Sequence, residues 1–161
     1  MRYPIALDLQ GASVVIVGAG RVVARKLSAL LAAGARITIV SPDVSAALEA
    51  QVLGGAGAVV RRAYRAGDLD GARLAFAATD DPATNAQVLA EARERGIFCN
   101  DASDGGRGDF VTPAVHRAGP LTIAIDSGGG SPSFSKRLRA EVAERFDDRY
   151  GRAANTLAAM R

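Results

Sequence analysis

The chain has 161 residues, 48% of them hydrophobic and 23% charged, enough for one substantial core or for one domain with a small appendage. The most apolar stretch, LSALLAAGA, is broken by Gly34 and flanked by charge, which excludes a membrane span, and MRYPIALDLQG lacks the apolar run of a signal peptide. The lone Cys99 fits a reducing cytoplasm, and a net charge of +3 with a pI near 9.5 gives slight support for an anionic partner and none for nucleic acid in particular.

The first element in chain order is Ser13–Val17 (SVVIV), a mostly β-branched run typical of a strand buried on both faces of a parallel sheet. Gly18-Ala19-Gly20 stops it, and VVARKLSALLAAG follows as a helix. Val22, Val23, Leu27, Leu30 and Leu31 share one face of that helix, and Gly34 ends it. A second strand, Ala35–Val40, runs into Ser41-Pro42-Asp43, then VSAALEAQVL forms a helix and GAVVRRAY a third strand. Leu74–Ala78 is the fourth strand, ATNAQVLAEARERG a helix with a glycine stop, and Ile97–Cys99 the fifth strand. Strand and helix alternating over roughly the first 110 residues predict an α/β fold with a Rossmann-type, doubly wound parallel sheet.

After Pro113 the pattern changes. AVHRAG and PLTIAID predict a hairpin turning at Ala118-Gly119-Pro120, and SGGGSP leads into the helical SFSKRLRAEVAERFDDRYG and a shorter final helix. The expected division is residues 1–112 as a dinucleotide-binding domain and residues 113–161 as a small α+β module. About fifty residues with few large apolar groups are marginal alone, so pairing with a second subunit is expected.

Several segments carry chemistry. In VVIVGAGRVVARK, Gly18 and Gly20 follow a strand and open a helix, so that backbone amides at the positive helix end can approach a pyrophosphate. The third position of the G-x-G-x-x-G pattern is Val23, where a small residue is usual. At the end of the second strand, Ser41 stands where an acid would grip the adenosine ribose, with Asp43 two residues on. No arginine follows to hold a 2′-phosphate, which favours NAD over NADP. In LAFAATDDPATN, Asp80 or Asp81 can cap the next helix ahead of Pro82, and Thr79 faces the crevice at the carboxyl ends of the strands. IFCNDASDGGRGDF gathers Asp101, Asp104 and Asp109 beyond the fifth strand, either as turn chemistry or as a reactive loop. SGGGSP is either a turn capping the next helix through Ser131 or an anion-binding nest. KRLR (136–139) is a solvated helix face or a contact for a polycarboxylate, and His116 reads as a half-exposed strand residue.

Taken together and in order, VVIVGAGRVVARK, AGARITIVSPD, AFAATDDPATN, IFCN, DFVTPA and IAIDSGGGSPSFSKRLR resemble the precorrin-2 dehydrogenase family, which includes the amino-terminal part of siroheme synthase. The resemblance covers nearly the whole chain. It implies NAD-dependent oxidation of precorrin-2 to sirohydrochlorin, with insertion of ferrous iron to give siroheme in some members, by a homodimer whose second domain forms the interface. Matching positions imply Gly18, Gly20, Arg21 and Val22 at the NAD pyrophosphate, Pro42 and Asp43 near the adenosine ribose, and Thr79 and Asn100 nearer the nicotinamide. Ser127, beside Gly128 and Gly129, matches a serine that is phosphorylated in some members, at the tetrapyrrole cleft. No metal ligand is assigned.

Two departures from the family stand out. Where it has an aspartate three residues after the asparagine of F-C-N, this chain has Ser103, a poor base at neutral pH. Asp104 is the candidate base by reach and Asp101 the other choice. The chain also stops at Arg161, where relatives continue through a longer helical region, so a shortened second module and weaker grounds for chelatase activity are expected. Two other readings stay open. One is an NAD-binding regulatory module, although such modules retain the ribose acid and lack S-G-G-x-S-P; the other is a tetrapyrrole-binding relative without catalysis.

Overall fold

The structure, a computed structural model, describes residues 2–103 and 106–160. The chain divides into two compact units, Tyr3–Val111 and Arg2 together with the stretch from Thr112 onward.

The first unit is built on a five-stranded parallel sheet in the order β3-β2-β1-β4-β5. Its strands are β1 (Ser13–Val17), β2 (Arg36–Val40), β3 (Ala58–Val60), β4 (Leu74–Ala77) and β5 (Phe98–Asp101). Successive strands move outward from β1 to β3, then the chain returns to the other side of β1 for β4 and β5. That reversal opens a crevice between β1 and β4 at the carboxyl ends of the strands, where ligands of open α/β sheets bind.

Both faces of the sheet are covered, which explains why its strands read as continuous apolar runs. On one face Val14, Ile16, Ile37, Ile39 and Phe76 pack with Val23 and Leu27 of α1 (Arg21–Ala32) and Leu48 and Val52 of α2 (Ala46–Gly54). On the other, Val15, Val17, Val40, Ala75 and Cys99 pack with Val88, Leu89 and Ala92 of α3 (Pro82–Glu94). The alternation along β1 sends odd and even side chains to separate cores, each wholly shielded from water.

Two expected strand ends move by more than one residue. The third strand is cut to Ala58–Val60 because Arg61 and Arg62 leave the sheet to reach partners elsewhere: Arg61 pairs with Glu49, and Arg62 with Asp68. The fifth strand runs two residues beyond Cys99, so Asn100 and Asp101 are ladder residues registered against Phe76 and Ala77.

In the second unit, β6 (Ala114–Ala118) and β7 (Leu121–Ile125) form the expected antiparallel hairpin. The two helices expected after it are α4 (Pro132–Arg145) and α5 (Asp148–Ala159), with the break at Phe146 and Asp147, earlier than the expected end of the first at Gly151. The break has a local cause. Phe146 leaves helical geometry, its carbonyl accepts a hydrogen bond from His116 Nε2 at 2.6 Å, and Asp147 starts the next helix by accepting from the Arg149 amide.

Candidate functional site

The glycine loop after β1 shows two different uses of glycine. Gly18 has φ of 108°, and a side-chain carbon there would lie 2.6 Å from the carbonyl carbon of Ala78, at the end of β4. Only glycine lets β1 and β4 approach so closely at the crevice. Gly20 has ordinary extended geometry, φ −76° and ψ −177°, and a side-chain carbon there would meet nothing within 4 Å. The fold itself does not require glycine at position 20. The space above it is what a bound group would use.

The helix that follows points the same way. Serine or aspartate side chains cap α2, α3, α4 and α5: Ser45, Asp81, Ser131 and Asp147. At α1 no side chain among the described residues caps the amino end, and no acid lies in its first turn. Its amide dipoles therefore present uncompensated positive potential beside Gly20, with Arg21 and Val22 exposing the first-turn backbone. An anionic group such as a pyrophosphate satisfies those donors. Val23, at the usual third-glycine position, is buried in the core between α1 and the sheet.

At the end of β2, Ser41 is nearly buried and its hydroxyl donates to the Asp43 carbonyl at 2.9 Å, which turns Pro42 and Asp43 outward to solvent. At the end of β4, the Asn85 side chain clamps the turn from α3. Its Oδ1 accepts from the Thr79 amide (3.1 Å) and hydroxyl (2.7 Å), and its Nδ2 donates to the Thr79 carbonyl at 3.0 Å. Asp81 caps α3, accepting from Ala83 N, Thr84 N and the Thr84 hydroxyl. That hydroxyl and the two amides hold the Asp81 carboxyl below the usual carboxylate range. Asp80 is exposed at the same turn. The motif AATDDPATN thus carries the scaffold that fixes Thr79 beside the glycine loop.

At the end of β5, Asn100 is 3% exposed. Its Nδ2 donates to the Phe110 carbonyl at 2.8 Å, while its Oδ1 is buried with no hydrogen-bond partner among the described residues. An orphaned amide oxygen at the crevice end of a strand is an acceptor awaiting a donor. Asp101 is fully committed. Its Oδ1 accepts from the Ser103 amide (2.9 Å) and hydroxyl (2.6 Å), and its Oδ2 accepts from Arg107 Nε (3.0 Å) and a terminal nitrogen (2.7 Å). Asp104, the other candidate base, lies outside the described residues. Asp109 takes a structural part: its amide donates to the Cys99 carbonyl and its carboxylate accepts from the Cys99 amide, so this loop covers the edge of β5. Cys99 is buried, and burial pushes its thiol up to about 12, the mark of an inert residue.

Three residues near these strand ends were not singled out from sequence. Asn85 was visible only as the last letter of a motif. Arg61 is brought to the β2 end by the adjacency of β2 and β3. Lys26 lies 5.6 Å from the centroid of the Phe76 ring, in the strand row that also holds Asn100, and burial followed by the Arg25 charge lowers its pKa.

Ser127, Gly128 and Gly129 belong to the second unit. The Ser127 hydroxyl donates to the Ser131 carbonyl (3.2 Å) and accepts from the Ser135 hydroxyl (2.9 Å), and the Gly128 amide donates to Asp126. Gly128 and Gly129 both have positive φ, and Ser131 caps α4. No three of His, Cys, Asp and Glu gather as a metal-ligand set among the described residues.

Comparisons with known proteins bear on the same segments. Residues 5–114 match the model of a family described as putative NAD(P)-binding. The chain is 39% identical over 151 residues to the siroheme synthase of Azotobacter vinelandii, covering 94% of this chain and 32% of that protein. It is 37% identical over 158 residues to the siroheme synthase of Pseudomonas entomophila, covering 98% of this chain and 34% of that protein. The chain therefore spans about one third of the length of these curated relatives. Among solved structures, SirC, precorrin-2 dehydrogenase, matches with a TM-score of 0.81 at 31% identity, over 98% of this chain and 78% of that one.

Proposed function

This chain belongs to the precorrin-2 dehydrogenase family, and we propose that it catalyses the NAD-dependent oxidation of precorrin-2 to sirohydrochlorin in siroheme synthesis. The observation that carries the proposal is the uncapped, glycine-opened end of α1 at the crevice between β1 and β4. Bound there, NAD supplies the hydride acceptor.

The chain's own residues bind and orient. Gly18 lets β1 and β4 close on each other at the crevice, Gly20 keeps the approach to the helix end clear, and the backbone at Arg21 and Val22 takes the pyrophosphate. Pro42 and Asp43, turned outward by Ser41, meet the adenosine ribose. Thr79, held by Asn85, lies toward the nicotinamide end, where Asn100 offers to a carboxamide donor the amide oxygen that has no partner among the described residues. That oxygen is shielded from solvent, so taking up the donor requires a local rearrangement of whatever covers it.

Oxidation also needs an acceptor for the proton that leaves with the hydride. We assign this to Asp104. Asp101, with both oxygens occupied by Ser103 and Arg107, acts as a positioning residue that ties those two together. Ser103 replaces the family aspartate in sequence, and its hydroxyl is spent on Asp101. The Ser127 turn and the exposed Lys136 and Arg139 are the proposed contacts for tetrapyrrole carboxylates, with a homodimer as the working assembly. Insertion of ferrous iron, a substrate of the second reaction in some members, is a separate activity.

The test is to mix the protein, NAD and freshly made precorrin-2 and follow NADH together with the tetrapyrrole spectrum. Asp104→Asn should abolish turnover with NAD affinity intact. Full activity in that variant would overturn the assignment of the base, and NAD binding without NADH in the native protein would favour a non-catalytic tetrapyrrole binder. Ferrous iron added to sirohydrochlorin measures chelation on its own.

A further inference from the structure

We propose that Glu49 excludes 2′-phosphorylated dinucleotides by neutralising Arg61, which otherwise forms a ready 2′-phosphate site; this rests on the placement of the adenosine ribose beside Pro42 and Asp43.

No arginine follows the end of β2 in sequence, yet the fold supplies one. β3 pairs with β2 in the register Val40 to Val60, and the Ser41 amide donates to the Val60 carbonyl at 3.1 Å. Arg61, the next residue, leaves the sheet directly alongside the Ser41–Val44 loop. One terminal nitrogen donates to the Val44 carbonyl at 3.1 Å, and the other to Glu49 Oε2 at 2.8 Å. The guanidinium is thus fixed one residue from Asp43. It is also accessible, since the side chains of Arg61 and Glu49 are 46% and 33% exposed.

Arg62, next along, is not equivalent. It donates to both Asp68 oxygens and to the Ala63 carbonyl, which commits it to the loop after β3. Arg61 is therefore the cation of this pair that faces the ribose loop.

A guanidinium is the side chain best shaped for a phosphate. Here it is offset by two acids. Asp43 and Glu49 with Arg61 carry one net negative charge, which repels a 2′-phosphate but leaves room for a ribose hydroxyl. Removing the Glu49 charge brings the trio to neutrality and leaves Arg61 with a neutral partner that a phosphate can displace. Glu49 has an ordinary structural use as well, as an acid in the first turn of α2. That use does not involve the cofactor, so only the dinucleotide preference separates the two roles.

The experiment measures NAD+ and NADP+ dissociation constants by calorimetry on the full chain, for the native protein, Glu49→Gln and Glu49→Gln/Arg61→Ala. The native protein should favour NAD+. Glu49→Gln should tighten NADP+ about tenfold, equivalent to roughly 1.4 kcal/mol, and leave NAD+ within about twofold. Adding Arg61→Ala should remove that gain, and the gain should shrink as salt is raised. NAD+ binding with an unmoved NAD+/NADP+ ratio in Glu49→Gln overturns the proposal alone, as does a gain that survives Arg61→Ala. A native protein that binds no NAD+ refutes the placement of the ribose, and the proposal with it.

Discussion

Replacing Gly20 with aspartate should stabilise the fold and destroy cofactor binding in the same molecule. The backbone at position 20 is extended, with φ −76° and ψ −177°, so any residue can adopt it, and a side-chain carbon there meets nothing within 4 Å. An aspartate at this N-cap position accepts from the amide of Val22, a donor α1 leaves uncapped. Relative to glycine the cap contributes a few tenths of a kcal/mol, and the negative charge at the positive helix end adds about 0.3–1 kcal/mol. Lower backbone freedom in the unfolded chain acts in the same direction. A net gain of about 1 kcal/mol corresponds to a rise in Tm of roughly 2–4 °C at this chain length. The same carboxylate occupies the space proposed for the pyrophosphate and repels it. Losing even two charge-assisted backbone contacts, at about 1.5 kcal/mol each, weakens NAD at least about a hundredfold. Circular dichroism melting and calorimetric titration measure both effects on one sample, and Gly20→Ala separates crowding from charge. An aspartate variant that melts higher yet binds NAD within a few-fold of the native protein would refute the reasoning, because the helix end would then not be the phosphate site.

Other consequences follow from the same geometry. Gly18→Ala places a methyl group against the Ala78 carbonyl at a backbone angle that alanine avoids, so urea unfolding should show a loss of about 3 kcal/mol with an unchanged m-value. Asp81 has a lowered carboxyl pKa in the fold against an ordinary 3.8, so its contribution is full above about pH 4 and is lost as pH falls through the folded value. Asp81→Asn should keep the cap and flatten that acid limb, and melts across pH 2–5 that matched the native curve would contradict the assignment. Cys99, buried with its thiol pushed up to about 12, should resist a disulfide reagent at pH 8 until denaturant is added; rapid labelling of the folded chain would contradict its burial.

Much of this was legible in the sequence because local and tertiary signals agree there. SVVIVGAG declares a doubly buried strand and a tight turn at once, and DDP announces a capped helix start. The parallel sheet follows from the alternation of elements, and the crevice from its order. What stayed hidden depends on contacts between distant residues. The third strand ends early because Arg61 finds Glu49 and Arg62 finds Asp68, pairings that periodicity does not show. The helix break at Phe146 turns on its carbonyl being taken by His116, thirty positions away. Asp101 read as a candidate base because three carboxylates crowd one loop; its burial and its engagement by Ser103 and Arg107 appear only once β5 is extended and the loop folds back. Asn85 reads as an ordinary helix residue until its amide is seen holding Thr79.

The proposed oxidation of precorrin-2 by this chain, with NAD as the electron acceptor, is decided by a stoichiometric turnover measurement. With limiting precorrin-2 and excess NAD under anaerobic conditions, one NADH should appear for each sirohydrochlorin formed, and neither product should form with Gly20→Asp. Sirohydrochlorin formed without NADH, or no oxidation by a native protein that binds NAD, would contradict the claim.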